Sequence, residues 1–318
     1  MLRVPAAEVL LAATRSPPAA QAPTLILMYH RVDEDVNDPF SLVVHPRRFR
    51  EHLRRLVGRA DIIPLSELLP LRAGDRPRVA ITFDDGYVDN LDLALPELEL
   101  ASVPATFFAI SDLLGTREEC WWDQLEQIFR AGWEGTRAIS LTLRGETLTA
   151  EVSCDVRWLM EIHTHLLALT QAEIMPLIAE LREQLHAPTV ALERRIMTED
   201  ELRRLDASSC VEVGAHTRTH PKLPSLSATD QAAELSGARQ RLEEVLGRPV
   251  HTLSYPFGAF DEDTLNAAQG SGYTHACTTE PACVSSSHSP LRLPRLGVEN
   301  WDGYEFDLRV NHCLAAAA

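Results

Sequence analysis

The chain has 318 residues, 45% apolar and 24% charged, enough to bury one large core or two modest ones. Its 30 basic and 46 acidic residues leave a formal charge of -16. That excludes nucleic acid and anionic membrane surfaces as main partners, since both need concentrated Lys and Arg, and no apolar run is long enough to span a bilayer.

The first 23 residues read as a short helix followed by a Pro/Ala-rich linker. An atypical export signal is the alternative, but the apolar stretch is short, carries Glu8 and follows a single Arg3. From there apolar, β-rich runs alternate with helical patterns. TLILMYH (Thr24 to His30) is the first run. PRRFREHLRRLVGR follows, with Phe49, Leu53, Leu56 and Val57 on one helical face. VAITF (Val79 to Phe83) and VPATFFAI (Val103 to Ile110) are the next two runs.

A segment of about 116–197 breaks the alternation. It is expected to be a mostly helical insertion carrying WWDQLEQIFRAGW and AEIMPLIAELREQL, with AISLTLRG as its one strand-like stretch. Trp121 and Trp122 are expected to anchor its core, and His163 and His165 to decorate its surface. Thr198 and Glu201 then stand in capping-box positions. VEVGAH (Val211 to His216) follows, then a helix from Ser227 that stops at Gly247 and Pro249. HTLSYP (His251 to Pro256) and a weaker YTHACTT (Tyr273 to Thr279) complete the runs.

Nearly continuous apolar strands alternating with helices predict an α/β fold, a parallel sheet covered by helices. Sites in such folds form at the C-terminal ends of strands, where His30, Asp84, Asp85, His216 and Pro256 fall. The six cysteines have no CxxC and no regular spacing, so free thiols in a reducing compartment, the cytoplasm, are expected.

Three stretches carry chemistry. Asp84 and Asp85 stand side by side in TFDDG, where each needs water or a cation to offset the other. His216 and His220 are four apart in HTRTH, a spacing that on one helical turn aims both imidazoles at one ion. Asp85, His216 and His220 make three ligands with a position left for water, the pattern of catalytic zinc, and Asp84 is then free to act as a base. Tyr255, Pro256, Phe257 and Gly258 form a rigid aromatic turn whose backbone N–H groups could hold an oxyanion.

In this order TFDDG, H-T-x-x-H and YPFG resemble the polysaccharide deacetylase family, the NodB-homology group also called carbohydrate esterase family 4. The likeness covers roughly Thr24 to Val298, apart from the insertion. It implies a distorted (β/α)7-type barrel over 24–318 that removes acetyl groups from N-acetylated amino sugars with a divalent metal. Zinc is the first choice, and cobalt or nickel are the others. It also implies Asp84 as general base, Asp85, His216 and His220 as metal ligands, and the Phe257 backbone N–H at the oxyanion, with Tyr255 and Phe257 against the sugar. Trp301 is expected to pack in the tail.

Two departures stand out. Ser254 occupies the position where many members carry an Arg beside the catalytic Asp, and Arg295 in LPRLGV is the expected substitute. The late Leu-x-His motif of the general acid has no clean copy; VNHCL with His312 matches poorly. Met28-Tyr29-His30 resembles it at the other end of the chain, so His30 is assigned as general acid through a permuted strand. The alternatives are a non-catalytic glycan-binding protein of this fold and an O-acetyl esterase or deformylase.

Overall fold

The computed structural model describes residues 22–74, 76–116, 119–188 and 194–316, so the helix expected within the first 23 residues lies almost wholly outside the described residues. The elements in chain order are β1 (Thr24–Tyr29), β2 (Arg31–Val32), β3 (Val43–Val44), α1 (Pro46–Leu56), β4 (Asp61–Ile62), β5 (Arg78–Phe83), α2 (Leu95–Ala101) and β6 (Ala105–Ala109). Then come α3 (Trp121–Arg130), β7 (Thr136–Leu143), β8 (Glu146–Ser153), α4 (Val156–Leu166), α5 (Gln171–Gln184), α6 (Glu199–Asp206), β9 (Val211–Ala215) and α7 (Ala228–Leu246). The chain closes with β10 (Thr252–Ser254), α8 (Glu262–Gly270), β11 (His275–Cys277), β12 (Leu296–Gly297) and α9 (Gly303–Ala316).

The main sheet runs β11-β10-β9-β6-β5-β1-β12, with β4 also on β5, and every pairing in it is parallel. It curls into a half-barrel of parallel strands flanked by helices, as the alternation predicted. Its two ends approach through one short segment. Leu293 bridges Cys277 of β11, and Leu296 pairs with Leu27 of β1. Arg295 sits between these two residues, so closure of the sheet is what brings it inside.

The sheet is packed against its helix layer by aromatic side chains stacked across adjacent strands. Tyr29 lies on Phe83 with ring centroids 5.3 Å apart, Phe83 on Phe107 at 4.7 Å, and Phe49 of α1 meets both Tyr29 and Phe83 edge-on. All four are fully buried, and such pairs add about 0.5–1.5 kcal/mol each beyond their area. Helix ends follow local chemistry. The Thr198–Glu201 capping box forms at α6, Ser227 caps α7, and Gly247 ends α7 at a φ of 69°. Val57, expected on the buried face, instead caps α1 and is exposed, because the helix stops at Leu56 before Gly58 at a φ of 79°.

The insertion between β6 and β9 is not helix throughout. Residues 136–153 form an antiparallel hairpin in continuous register from Thr136↔Ser153 to Leu143↔Glu146. The strand-like stretch AISLTLRG supplies its first strand, and alternating Thr, Leu and Val in 146–153 supply the second, which was not expected. The six cysteines are free thiols, with the Cys283 and Cys313 sulfurs 3.3 Å apart.

Gly214 in β9 tests the packing of the sheet. A Cβ there would meet the Phe108 ring at 2.6 Å and Thr252 Oγ1 at 2.5 Å. Gly214→Ala is expected to cost about 2 kcal/mol and to lower Tm by roughly 3 °C. A thermal melt unchanged from wild type would show that the wall is not tightly packed at this point.

Candidate functional site

β5 delivers Asp84 and Asp85 to the C-terminal edge of the sheet, and β1 delivers His30 beside them. The backbone turns there at once. Asp85 adopts a φ of 75° and Gly86 a φ of 82°, where a Cβ would press on Ala109 Cα at 3.2 Å. Asp85 therefore holds a backbone conformation costly for a non-glycine residue, of order 1–3 kcal/mol.

Asp84 is 3% exposed and held from several sides. Arg295 grips it with both arms of the guanidinium, Nη1 donating to Oδ1 and Nη2 to Oδ2, each at 2.7 Å. The same guanidinium donates to Thr82 Oγ1, Ser254 Oγ and the Thr278 carbonyl, and Ser254 Oγ donates to Asp84 Oδ2 at 3.1 Å. Arg295 is wholly buried, and all three of its nitrogens are engaged. Burial pushes the Asp84 carboxyl up, but the Arg295 and His216 charges outweigh it and hold the group well below the usual carboxylate range. A guanidinium from the end of the chain thus fills the place left by Ser254, and Ser254 itself becomes a hydrogen-bond partner of both.

Asp85, His216 and His220 converge. One ligand atom from each lies within 4.8 Å of the others, and all three residues are buried. His216 Nδ1 donates to the Ser254 carbonyl at 2.8 Å, so its Nε2 lone pair faces Asp85 Oδ1 at 3.4 Å; His220 Nε2 lies 3.5 Å from the same oxygen. In the neutral ring, lone pair and carboxylate oxygen then confront each other, an arrangement a cation relieves. Oxygen and imidazole donors in this number suit a divalent metal. Opposing causes act on the two rings. Burial lowers His216, but Asp84 and Asp85 raise it on balance; burial and His216 push His220 down to about 3.

The two histidines do not share a helical turn, contrary to the spacing argument. They lie on a loop in which Thr217 and His220 have φ values of 62° and 61°. Glu234 of α7 holds that loop, accepting from the Arg218 and Thr219 backbone N–H groups at 2.9 Å and from Thr219 Oγ1 at 2.7 Å. Nothing in the sequence marked Glu234.

These groups face one cavity of about 480 Å³. His30, Asp84, Asp85, His216, His220 and Phe257 line it from the barrel, and Phe40, Trp122, Met160 and His163 from outside. The His30 carbonyl accepts from Asn90 Nδ2 at 2.9 Å, which fixes the backbone behind the ring. Phe257 takes a φ of 58° and sets its ring 4.8 Å from His220. Gly258 follows it so closely packed that a Cβ would meet Thr279 N at 2.5 Å.

Not every expected residue reaches the cavity. Tyr255 is 0% exposed, its hydroxyl donating to the Leu291 carbonyl and its ring on Phe260, so it packs and cannot stack on a sugar. Pro256 is buried at the start of the turn. Trp301 packs under Arg309 and gives its carbonyl to His52. Trp121 is core, whereas Trp122 is buried yet lies 4.6 Å from His220 and lines the cavity. Trp122 Nε1 donates to the Tyr87 hydroxyl, which donates to Asp123, whose carboxyl burial pushes up to about 8. His163, expected on the surface, lines the cavity because α4 folds over the mouth; His165 is exposed.

A sequence profile described as polysaccharide deacetylase matches residues 72–137 and 171–276, just over half of the chain. YxkH of Bacillus subtilis strain 168, whose name places it among the polysaccharide deacetylases, is 24% identical over 278 residues, covering 86% of this chain and 70% of that protein. The poly-β-1,6-N-acetyl-D-glucosamine N-deacetylase of Staphylococcus epidermidis is 22% identical over 306 residues, covering 88% of this chain and 84% of that one. The solved Streptococcus pyogenes deacetylase PplD shares the fold with a TM-score of 0.60 at 17% identity, covering 93% of this chain and 99% of that one.

Proposed function

Because the chain belongs to the polysaccharide deacetylase family, we propose that it hydrolyses acetyl groups from the N-acetylated amino sugars of a glycan with a divalent cation, zinc first, at Asp85, His216 and His220. The observation that carries this reading is the placement of those three donors beside an Asp84 that Arg295 keeps ionised. The named activity of the S. epidermidis relative supports an N-acetylated polysaccharide as substrate.

A cation bound by the three donors supplies Lewis acidity toward water and an amide carbonyl. The remaining work falls to side chains of this chain. Asp84, ionised and facing the same cavity, takes a proton from the attacking water. Arg295 and Ser254 hold Asp84, and Thr82 in turn holds Arg295, so that the carboxylate oxygens do not swing away. His30, which lines the same cavity from the neighbouring strand end, gives a proton to the departing amine. Phe257 and Trp122 wall the acetyl group and exclude bulk water, and the backbone N–H of Phe257 is assigned to the developing oxyanion. The products are acetate and a free amino sugar.

The feature that favoured a non-catalytic binding protein was the Ser at position 254. Arg295 restores the guanidinium, which removes that support. Acetate release from a soluble N-acetylglucosamine oligomer, measured on zinc-loaded and chelator-treated protein, tests the reading; equal rates in the two would end it. Single replacements Asp85→Ala, His216→Ala and His220→Ala are each expected to weaken zinc binding by more than the roughly 10–100-fold that loss of an outer partner costs. Zinc content after dialysis checks this, and full zinc occupancy in any of the three would remove that residue from the set.

A further inference from the structure

The family profile passes over residues 138–170, which hold most of the β7–β8 hairpin and all of α4. Yet α4 sends two side chains into the cavity of the metal-ligating group. Met160 and His163, three apart and so on one helical face, line it together with Asp84, Asp85, His216 and His220. The position of His163 is firmly set. Its ring lies 5.0 Å from that of Trp121, nearly parallel, and 4.8 Å from that of Phe40.

We propose that α4 is a glycan-recognition element, and that His163 is a specificity-determining residue that hydrogen-bonds a hydroxyl or acetamido group of the sugar. This rests on the deacetylase reading above. Three observations support it. First, among the described residues neither nitrogen of the His163 ring has a hydrogen-bond partner, although the ring is clamped between two aromatics. A histidine needed only for packing gains nothing over Phe there. Second, burial lowers the ring to about 4, so at neutral pH it carries one N–H donor and one lone pair. A sugar hydroxyl or acetamide likewise offers both a donor and an acceptor. Third, Met160 is 40% exposed at the cavity edge and Phe40 faces it from the β2–β3 connection. Both present apolar surface to the C–H faces of a sugar ring, and the thioether of Met160 can adapt to it. With α4 as a wall the cavity reaches about 480 Å³. That lies within the roughly 300–1,000 Å³ of sites that enclose a ligand.

The test uses a soluble β-1,6-linked N-acetylglucosamine pentamer. Its binding is followed by calorimetry and its turnover by acetate release, in wild type, His163→Ala, His163→Gln and Met160→Ala. Expected results are about tenfold weaker binding and a tenfold higher KM for His163→Ala, with kcat within about twofold. Gln, which also offers a donor and an acceptor, should recover most of the loss. If wild type binds the pentamer and His163→Ala loses affinity while no acetate appears, the catalytic reading fails and this inference stands. Acetate release with undiminished affinity in His163→Ala overturns this inference alone. It is also overturned if kcat falls while KM holds, or if wild type does not bind the pentamer. Should His163→Ala fail to fold, His163→Gln and Met160→Ala decide. Wild-type affinity in Met160→Ala together with no rescue by Gln counts against the proposal.

Discussion

Asp84→Asn is expected to reduce acetate release by about 10²–10⁴-fold, the range that a positioned general base contributes, while zinc content stays at the wild-type level. The substitution keeps size and shape but leaves no group able to take a proton. It also has a structural cost. One carboxylate oxygen becomes an NH₂ group pointing at a guanidinium arm, so donor meets donor where Arg295 now has an acceptor. Arg295, wholly buried, is left half-paired. Tm is therefore expected to fall as well, and activity must be compared below the onset of unfolding. Zinc content separates the two effects, because the proposed cation donors are Asp85, His216 and His220 and none of them changes. Wild-type turnover in a folded, zinc-replete Asp84→Asn protein would remove Asp84 from the reaction.

Arg295→Met carries the second large effect. It leaves a buried carboxylate facing Ser254 Oγ with its countercharge gone. Removing one partner of a buried ion pair costs about 3–5 kcal/mol, a fall in Tm of roughly 5–7 °C in a chain of this size. The pH dependence should invert. In wild type, Asp84 has a depressed pKa, so its contribution to stability is full at neutral pH and is lost only as the pH falls below the ordinary carboxylate range. Without Arg295, burial dominates and favours the neutral acid, so the variant should become more stable as the pH falls toward protonation of Asp84. The double variant Asp84→Asn/Arg295→Met should be more stable than Arg295→Met alone, since no uncompensated charge remains. Additive losses in that cycle, with a flat pH profile for Arg295→Met, would show that the pair is not coupled.

Much of the molecule was legible from the chain because its signals are local. Apolar runs ending in polar residues announced β1, β5, β6 and β9, since a strand buried on both faces has few polar positions. Asp84 and Asp85 declared themselves by adjacency, and Ser227 and Thr198 by capping geometry. Arg295 was legible for another reason. The family resemblance placed an Arg beside the catalytic Asp, position 254 carries Ser instead, and Arg in LPRLGV is a good carboxylate partner that could take its place.

What tertiary structure alone decided concerns contacts between distant positions. Arg295 meets Asp84 across 211 residues, and only closure of the sheet between β11 and β1 makes that possible. His216 and His220 share a centre through two left-handed residues that Glu234 of α7 helps to hold, whereas their spacing suggested a helical turn. Tyr255 turned inward and His163 turned toward the cavity. An isolated aromatic or imidazole carries no mark of which surface will cover it. Spacing along a chain limits where a side chain can point, but its surroundings are set by which distant elements pack against it, and that packing exists only in the folded molecule.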